Sequence, residues 1–316
     1  MRLFVIVLFL TIFQANVNSQ YLAAYNDNLD HFWVFEAGMF QQLEHLEIKE
    51  YQVGGILVAY IDNASRLKIY RNGSVETLMQ GEPIKFTATD YLLGYSIYEQ
   101  LNVYDNGKVE VLSTQCDGYI VQDSLIGWHN KISQTLEVYY NGKTRVLVDG
   151  LLYDPLKTFR VGDNILAFVH SSTKEFYVYY LGRLIQLDDF VEEMIYDAGR
   201  DIVAYIDVPD QAFNAFFRGD VYELETFKPR SFKVGDEMLA YVDNLGKLKL
   251  FDSGEVKTIS DFEPQFYDMV DRILVFEEQG FLRPIVMARY ILLKGIFRNL
   301  IKLTTIQLLI SIRAGL

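Results

Sequence analysis

The chain has one cysteine, Cys116, in 316 residues. A single thiol closes no internal bridge, so the fold does not rest on disulfides, and a lone cysteine in β structure is expected as a small core hydrophobe. Histidine is nearly as scarce. His31, His45, His129 and His170 are the only four, and none lies at a spacing that ligates metal. Positive charge is in deficit, with 29 Lys and Arg against 42 Asp and Glu and a net charge of −13. Phosphate binding needs a basic surface, so no nucleic-acid partner is expected. No Walker or dinucleotide glycine pattern occurs, and GYSIY at 94–98 lacks the second glycine of a nucleophile elbow. Six prolines against 21 glycines point to many tight turns and few rigid linkers.

Aromatic and aliphatic residues are plentiful. Half the residues are hydrophobic, with 22 Tyr and 22 Phe, a composition suited to half-buried pleated surfaces. The first residues stand apart. Arg2 is followed by an apolar run from Leu3 to Phe13, then by QANVNSQ with Val17 and Ser19 placed for a cut before Gln20. This is the layout of a secretory signal peptide over 1–19, and the run is too short for a permanent membrane span. The expected address is secreted, periplasmic or outer cell surface, with no functional transmembrane segment.

From there the sequence repeats. Residues 236–271, DEMLAYVDNLGKLKLFDSGEVKTISDFEPQFYDMVD, share a frame with 54–90 and 201–236. An apolar run ends in Tyr-x-Asp, an alternating run leads to a Gly turn, and a second alternating run ends near Leu or Ile. An aromatic-containing run before Asp completes the unit. The turn glycines Gly38, Gly73, Gly107, Gly142, Gly182, Gly219 and Gly254 are spaced by 35, 34, 35, 40, 37 and 35. Seven copies fit, at 21–53, 54–89, 90–122, 123–161, 162–199, 200–235 and 236–270. In the last, strands are predicted at Met238–Val242, Lys247–Phe251, Val256–Ile259 and Gln265–Val270. Alternation of Leu248 and Leu250 with Lys247 and Lys249 predicts one buried face. Asn72-Gly73, Asn106-Gly107 and Asn141-Gly142 predict type I′ hairpins.

The expected fold is all-β, a β-propeller of short four-stranded antiparallel blades, with seven complete repeats and a truncated eighth. Two-residue turns favour such meanders over the parallel coils of a β-helix. The unit resembles secreted bacterial repeat proteins with blades of the type LAYVDN…LKVFYNGKVYxLE…P.SYKVGD, over about residues 21–283. That resemblance implies an exported β-propeller-like fold and no particular activity.

The array is placed at 20–283, and residues 284–316 form an anomalous tail. The tail holds five bases, Arg289, Lys294, Arg298, Lys302 and Arg313, and no acid. Taken literally it is a basic amphipathic, membrane-active segment. A shifted reading frame explains it better. Synonymous codons for Met287–Asn299, read from the last base of the Val286 codon, spell NGQIYTLEGYIPK. Continued through Ile312, they spell SYKVDYNTIAYLDQ. The Asn-Gly turn, the strand after it, the proline and the next Ala-Tyr-x-Asp all return. The tail is therefore expected to derive from a frameshift near 283–286.

No residue is assigned a catalytic, cofactor-binding or metal-binding role, and no cofactor is expected. Asn26-Asp27-Asn28, Asp62-Asn63, Asp207 and Asp243-Asn244 suit Ca²⁺, but they suit Asx turns as well and match no calcium-loop spacing. Asn63 and Asn72 head sequons, and Asn72 is explained by its turn. Trp33, Trp128 and the strand aromatics are expected in the core rather than on a sugar- or peptide-binding surface. The first expectation for function is non-enzymatic binding of protein, peptide or glycan, or scaffolding. The second is a propeller hydrolase or lyase acting on polysaccharide or peptide.

Overall fold

The computed structural model describes residues 22–149, 159–189, 191, 193–207, 211–278 and 280–286. The expected signal peptide over 1–19 and the residues beyond 286 lie outside these residues. Among the described residues, thirty strands form eight antiparallel sheets. The first sheet holds Leu22–Asn26 (β1), Phe32–Glu36 (β2) and Met39–Glu44 (β3). The second holds Glu50–Val53 (β4), Val58–Ile61 (β5), Leu67–Arg71 (β6) and Ser74–Met79 (β7). The third holds Lys85–Ala88 (β8), Leu92–Ile97 (β9), Gln100–Asp105 (β10) and Lys108–Ser113 (β11). The fourth holds Cys116–Val121 (β12), Leu125–Asn130 (β13), Thr135–Tyr140 (β14) and Lys143–Asp149 (β15). The fifth holds Phe159–Gly162 (β16), Ile165–Val169 (β17), Phe176–Tyr180 (β18) and Arg183–Asp188 (β19). The sixth holds Met194–Gly199 (β20), Ile202–Asp207 (β21), Phe213–Phe217 (β22) and Asp220–Glu225 (β23). The seventh holds Ser231–Val234 (β24), Met238–Val242 (β25), Leu248–Asp252 (β26) and Glu255–Ser260 (β27). The eighth holds Tyr267–Val270 (β28), Ile273–Glu278 (β29) and Phe281–Val286 (β30).

Each sheet is a meander in sequence order. The hairpin from third to fourth strand is the expected type I′ turn, with positive φ at both Asn72 and Gly73, Asn106 and Gly107, and Asn141 and Gly142. The same pairing recurs at Leu181-Gly182, Arg218-Gly219 and Ser253-Gly254, where no Asn marks it.

The phase of the repeat differs from the expectation. The strand placed last in each copy bonds to the strand that opens the next copy: β28, predicted as the end of 236–270, pairs with β29. Sheets therefore straddle the copy boundaries. Six are complete, and among the described residues the first and eighth have three strands. The described strands of the first sheet correspond to the second to fourth strands of the others, and those of the eighth to the first to third. A periodic sequence is cyclic, and only hydrogen bonding decides where its unit begins.

The chain divides into two compact units, one containing the first sheet and the other, from Ile48, the remaining seven. In the second unit successive sheets pack face to face. Leu57, Ala59 and Ile69 meet Phe86, Leu93, Tyr95 and Tyr104 between the second and third sheets. On the seventh, Leu239, Tyr241 and Phe251 face the sixth sheet. Met238, Ala240, Val242, Leu248 and Leu250 face the eighth. Both faces are thus buried, which corrects the one-faced expectation for Leu248 and Leu250. Strands covered on both sides read as near-continuous apolar runs, as MLAYV does. Each fully buried aliphatic or aromatic side chain contributes about 1.5–3 kcal/mol.

The fourth strands carry a shared irregularity. In each of the first seven sheets the third–fourth strand register slips by one residue at the same place. The residue skipped is Leu43, Leu78, Leu112, Leu147, Leu187, Leu224 or Ile259. In the second unit it turns into the core between sheets, as Leu78, Leu112 and Leu224 do. A bulge here re-aims a side chain that plain alternation would send elsewhere.

Candidate functional site

The turns between first and second strands in the second unit form a continuous belt. Each has a first slot, occupied in order by Gly54, Thr89, Gln122, Gly162, Gly199, Gly235 and Val270. A second slot follows, with Gly55, Asp90, Asp123, Asp163, Arg200, Asp236 and Asp271. The belt is tight because most first-slot residues are glycine. A Cβ on Gly162 would lie 2.0 Å from the Gly199 carbonyl oxygen, and one on Gly199 would lie 1.9 Å from that of Gly235. Thr89 and Gln122 reach the next sheet with side chains instead: Thr89 Oγ1 lies 3.5 Å from the Gln122 carbonyl and Gln122 Nε2 donates to that of Val161 at 3.2 Å.

Polar bonds join one turn to the next. The Asp90 amide donates to Asp123 Oδ1 at 2.7 Å. Ser124 Oγ donates to Asp163 and accepts from the Asn164 amide. The Asp201 amide donates to the Asp163 carbonyl at 3.0 Å, the Glu237 amide to that of Arg200 at 2.9 Å, and the Asp236 amide to that of Asp271 at 2.7 Å. Arg200 sits among three carboxylates from other sheets. Its guanidinium lies 2.8 Å from Asp163, 3.3 Å from Asp123 and 3.4 Å from Asp236. Beside it, Glu237 pairs with Arg218 and Arg272, and Arg272 also reaches Asp252.

The charges perturb one another. Burial, then the charge of Asp90, raises the Asp123 carboxyl above the usual carboxylate range, although Arg200 opposes this. Burial also raises Asp201. Arg200 is desolvated too, yet Asp236 and Asp163 hold its proton more firmly than usual. The result is a rigid, mostly self-satisfied polar surface built from turns of successive sheets. Among the described residues, no three His, Cys, Asp or Glu side chains come together as a metal site.

The residues weighed from the sequence fall elsewhere. Asp27, Asp62 and Asp243 close Asx turns. Asp62 Oδ1 accepts the Arg66 amide and Asp243 Oδ1 those of Leu245 and Lys247. Lys68 and Lys249, which alternation places in solvent, instead pair with Asp62 at 2.8 Å and Asp243 at 3.0 Å. Burial works against the Asp62 charge, but Lys68 and Arg66 hold the carboxyl down at about 2. His31 and His45 stack edge to face, His129 pairs with Asp117 at 2.7 Å, and His170 accepts the Ser172 and Thr173 amides. Trp128 is fully buried between sheets, and Trp33 donates to Asp27, so neither forms an open platform. Cys116 is buried and free. The belt was partly visible as the Asp that ends each repeat. Arg200 was not, because nothing in its own repeat marks it.

A family model described as a 10-bladed beta propeller domain matches residues 16–287. The chain belongs to this family. No curated protein matches it. Among solved structures, the computationally designed Ika8 protein is 14% identical, covers 85% of this chain and 94% of its own, and has a TM-score of 0.40. Prp20p from Saccharomyces cerevisiae, described with its binding to Gsp1p and histones, is 9% identical with coverages of 77% and 83% and a TM-score of 0.41. The CRINKLY WD40 ectodomain of the Arabidopsis thaliana receptor kinase ACR4 is 8% identical, with coverages of 78% and 95% and a TM-score of 0.37. Within the 10-bladed propeller family, the four-stranded meanders are the blades and the belt is the set of turns at one end of successive blades.

Proposed function

We propose that this 10-bladed propeller family member is a non-enzymatic, extracytoplasmic binding or scaffolding protein for a protein, peptide or glycan, with the belt of turns as its contact surface. The supporting observation is the belt itself. Turns from seven sheets are fixed to one another by glycine contacts and by Arg200, which gives a composite surface that needs no ordering on binding. The test is a peptide and glycan binding panel run with the wild-type chain and with Asp123→Asn/Asp163→Asn. Saturable binding lost in the variant, with circular dichroism unchanged, is expected. Turnover of a panel member would overturn the reading in favour of a hydrolase or lyase. Asp123 is the carboxyl to test in that case, since its raised pKa suits a general acid.

The finer architecture belongs to the same proposal. Ten four-stranded blades need forty strands, and the described residues hold thirty. The difference is one fourth strand for the eighth sheet, one first strand for the first sheet, and two whole blades between. The shifted frame supplies the beginning of that set. Pro284 adds support: its counterparts Ile69, Val103, Val138, Val178, Ala215 and Leu250 are all buried, whereas Pro284 is exposed. The leader over 1–19 directs export, and N-terminal sequencing of the exported chain should begin at Gln20.

A further inference from the structure

The two ends of the second unit differ in chemistry. A four-stranded meander puts its first–second and third–fourth connections at one end, where the belt lies. Its second–third connection and the link to the next sheet lie at the other. Among the described residues of this unit, six large hydrophobic side chains are between 63% and 84% exposed, and no other passes 56%. They are Ile84, Tyr98, Ile132, Phe227, Leu245 and Phe262, and all six lie in connections at the end away from the belt. A single exposed hydrophobic residue is ordinary on a protein surface. Six gathered at one end, with none at the other, mark an interaction face.

The tips stand on loops that are fixed to one another. Arg230 joins three of them. Its amide donates to the Val242 carbonyl at 2.8 Å, and its guanidinium donates to the Asn244 carbonyl at 3.1 Å and pairs with Glu263. Phe227, Leu245 and Phe262 stand beside these contacts. On the third and fourth sheets, Lys131 pairs with Glu99 and the Cys116 amide donates to the Glu99 carbonyl at 2.7 Å, which holds the loops of Tyr98 and Ile132. The charges alongside leave one sign over. Every acid within two residues of a tip is ion-paired: Glu82 with Lys49, Glu99 with Lys131, Glu225 and Asp243 with Lys249, Asp261 with Lys247, and Glu263 with Arg230. Of the bases in the same windows, Lys85 lies over the Tyr119 ring, and neither it nor Lys228 pairs with a carboxylate among the described residues.

We propose that this end is a membrane-docking face, which seats the six tips in the interfacial layer of a bilayer containing anionic lipid. Two observations select a bilayer over a protein partner. The tips come one to a connection, with the Lys131–Glu99 and Arg230–Glu263 pairs set among their loops. A fluid layer takes such separate side chains individually, whereas a protein partner needs a continuous apolar centre. The charge left over beside the tips is positive in a chain of net charge −13, so an anionic surface attracts this end and repels the aspartate-rich belt. Lys85 and Lys228 have the reach to stay at headgroup level while Ile84 and Phe227 enter, and Tyr98 suits the same layer. Docking in this way leaves the belt facing away from the bilayer and open. The inference does not rest on the belt, so failure of the belt to bind a ligand leaves it standing.

The test is co-sedimentation of the full chain with vesicles of phosphatidylcholine alone and of equimolar phosphatidylcholine and phosphatidylglycerol. Saturable binding to the mixed vesicles is expected, weaker in high salt and weaker without phosphatidylglycerol. Phe227→Ser/Leu245→Ser/Phe262→Ser should bind at least about tenfold more weakly, the loss expected from apolar burial of even one such side chain. Lys85→Glu/Lys228→Glu should bind at least about fivefold more weakly and lose salt dependence. Tyr91→Ser/Leu181→Ser, at the belt end, should bind as the parent does. Every substituted side chain but Lys85, Tyr91 and Leu181 is a tip or its neighbour, and unchanged melting temperatures establish that each variant is folded. The residues beyond 286 are the same in every chain compared, so any affinity of their own appears equally in all. No binding to the mixed vesicles, or binding of the triple variant as tight as the parent's, would overturn the proposal. So would self-association that the triple variant abolishes in the absence of vesicle binding, since it assigns the face to a second copy of the chain.

Discussion

Replacing Gly199 with alanine tests whether the belt is held by close backbone approach. Gly199 has no positive φ, so alanine meets no strain of its own. The added Cβ would stand 1.9 Å from the Gly235 carbonyl oxygen, 2.9 Å from its carbon and 3.0 Å from Val234 Cγ1. Carbon and oxygen do not approach so closely, and the obstacle is backbone rather than a flexible side chain. The turns of the sixth and seventh sheets must part by about 1 Å, a distortion that costs about 2–4 kcal/mol in a packed interior. The Glu237 amide bond to the Arg200 carbonyl, at 2.9 Å, spans the same gap and would stretch with it. Gly73→Ala is the control. Its Cβ would meet open space, but φ is +78°, so its cost is conformational and about 1 kcal/mol. Urea unfolding midpoints of the two variants and the parent decide the matter. If Gly199→Ala costs no more than Gly73→Ala, the close-approach account of the belt is wrong.

Three further outcomes follow from the same geometry. Arg200→Gln leaves Asp123, Asp163 and Asp236 facing one another, so it should destabilise by about 1–2 kcal/mol at neutral pH after screening. Asp123 is already raised above the usual carboxylate range and would lose the cation that opposes this, so the deficit should shrink as pH falls and its proton is taken up; a deficit that grows on acidification would contradict this. The Asp62 carboxyl is held at about 2 against an ordinary 3.8, so its contribution is present above about pH 4 and lost as pH falls through 2. Asp62→Asn should cost about 1–2 kcal/mol at pH 7, discounted for screening, and progressively less toward and below pH 2, as read from melting curves across that range. Burial pushes the Cys116 thiol up to about 11, so it should resist a disulfide reagent at pH 8 until denaturant is added; fast native-state labelling would refute that.

Much of the fold was legible because hairpins leave local marks. Asn72-Gly73 and its counterparts specify a turn by dihedral preference alone, and the alternation on either side specifies strands. The Asx turns at Asp62 and Asp243 were legible for the same reason. What was not legible depends on neighbours distant in sequence. Leu248 and Leu250 alternate with Lys249, so the strand appears one-faced. Lys249 is held between Glu225 and Asp243 instead, in a seam closed by the sixth sheet. The bulge leucines look like ordinary strand ends until the register is known. Arg200 meets Asp163 and Asp123 across separations of 37 and 77 residues, and no local pattern could announce that contact.

The belt explains why a repeat array departs from its own consensus. If every second slot carried aspartate, each carboxylate would face two others across a tight turn, and the cost would grow with every blade added. Arg200 interrupts the series at one position and faces the aspartates of the fourth, fifth and seventh sheets. Arg272 opens the eighth by reaching back to the Asp236 carbonyl and to Glu237. The first slot shows the same logic without charge. Where glycine is absent, Thr89 and Gln122 fill the gap with a side chain aimed at the next sheet. A substitution in either slot is therefore compatible or not according to the blades on both sides. The residues that break the repeat are the ones through which neighbouring blades constrain each other, and the belt's surface chemistry is set by those few positions rather than by the repeat.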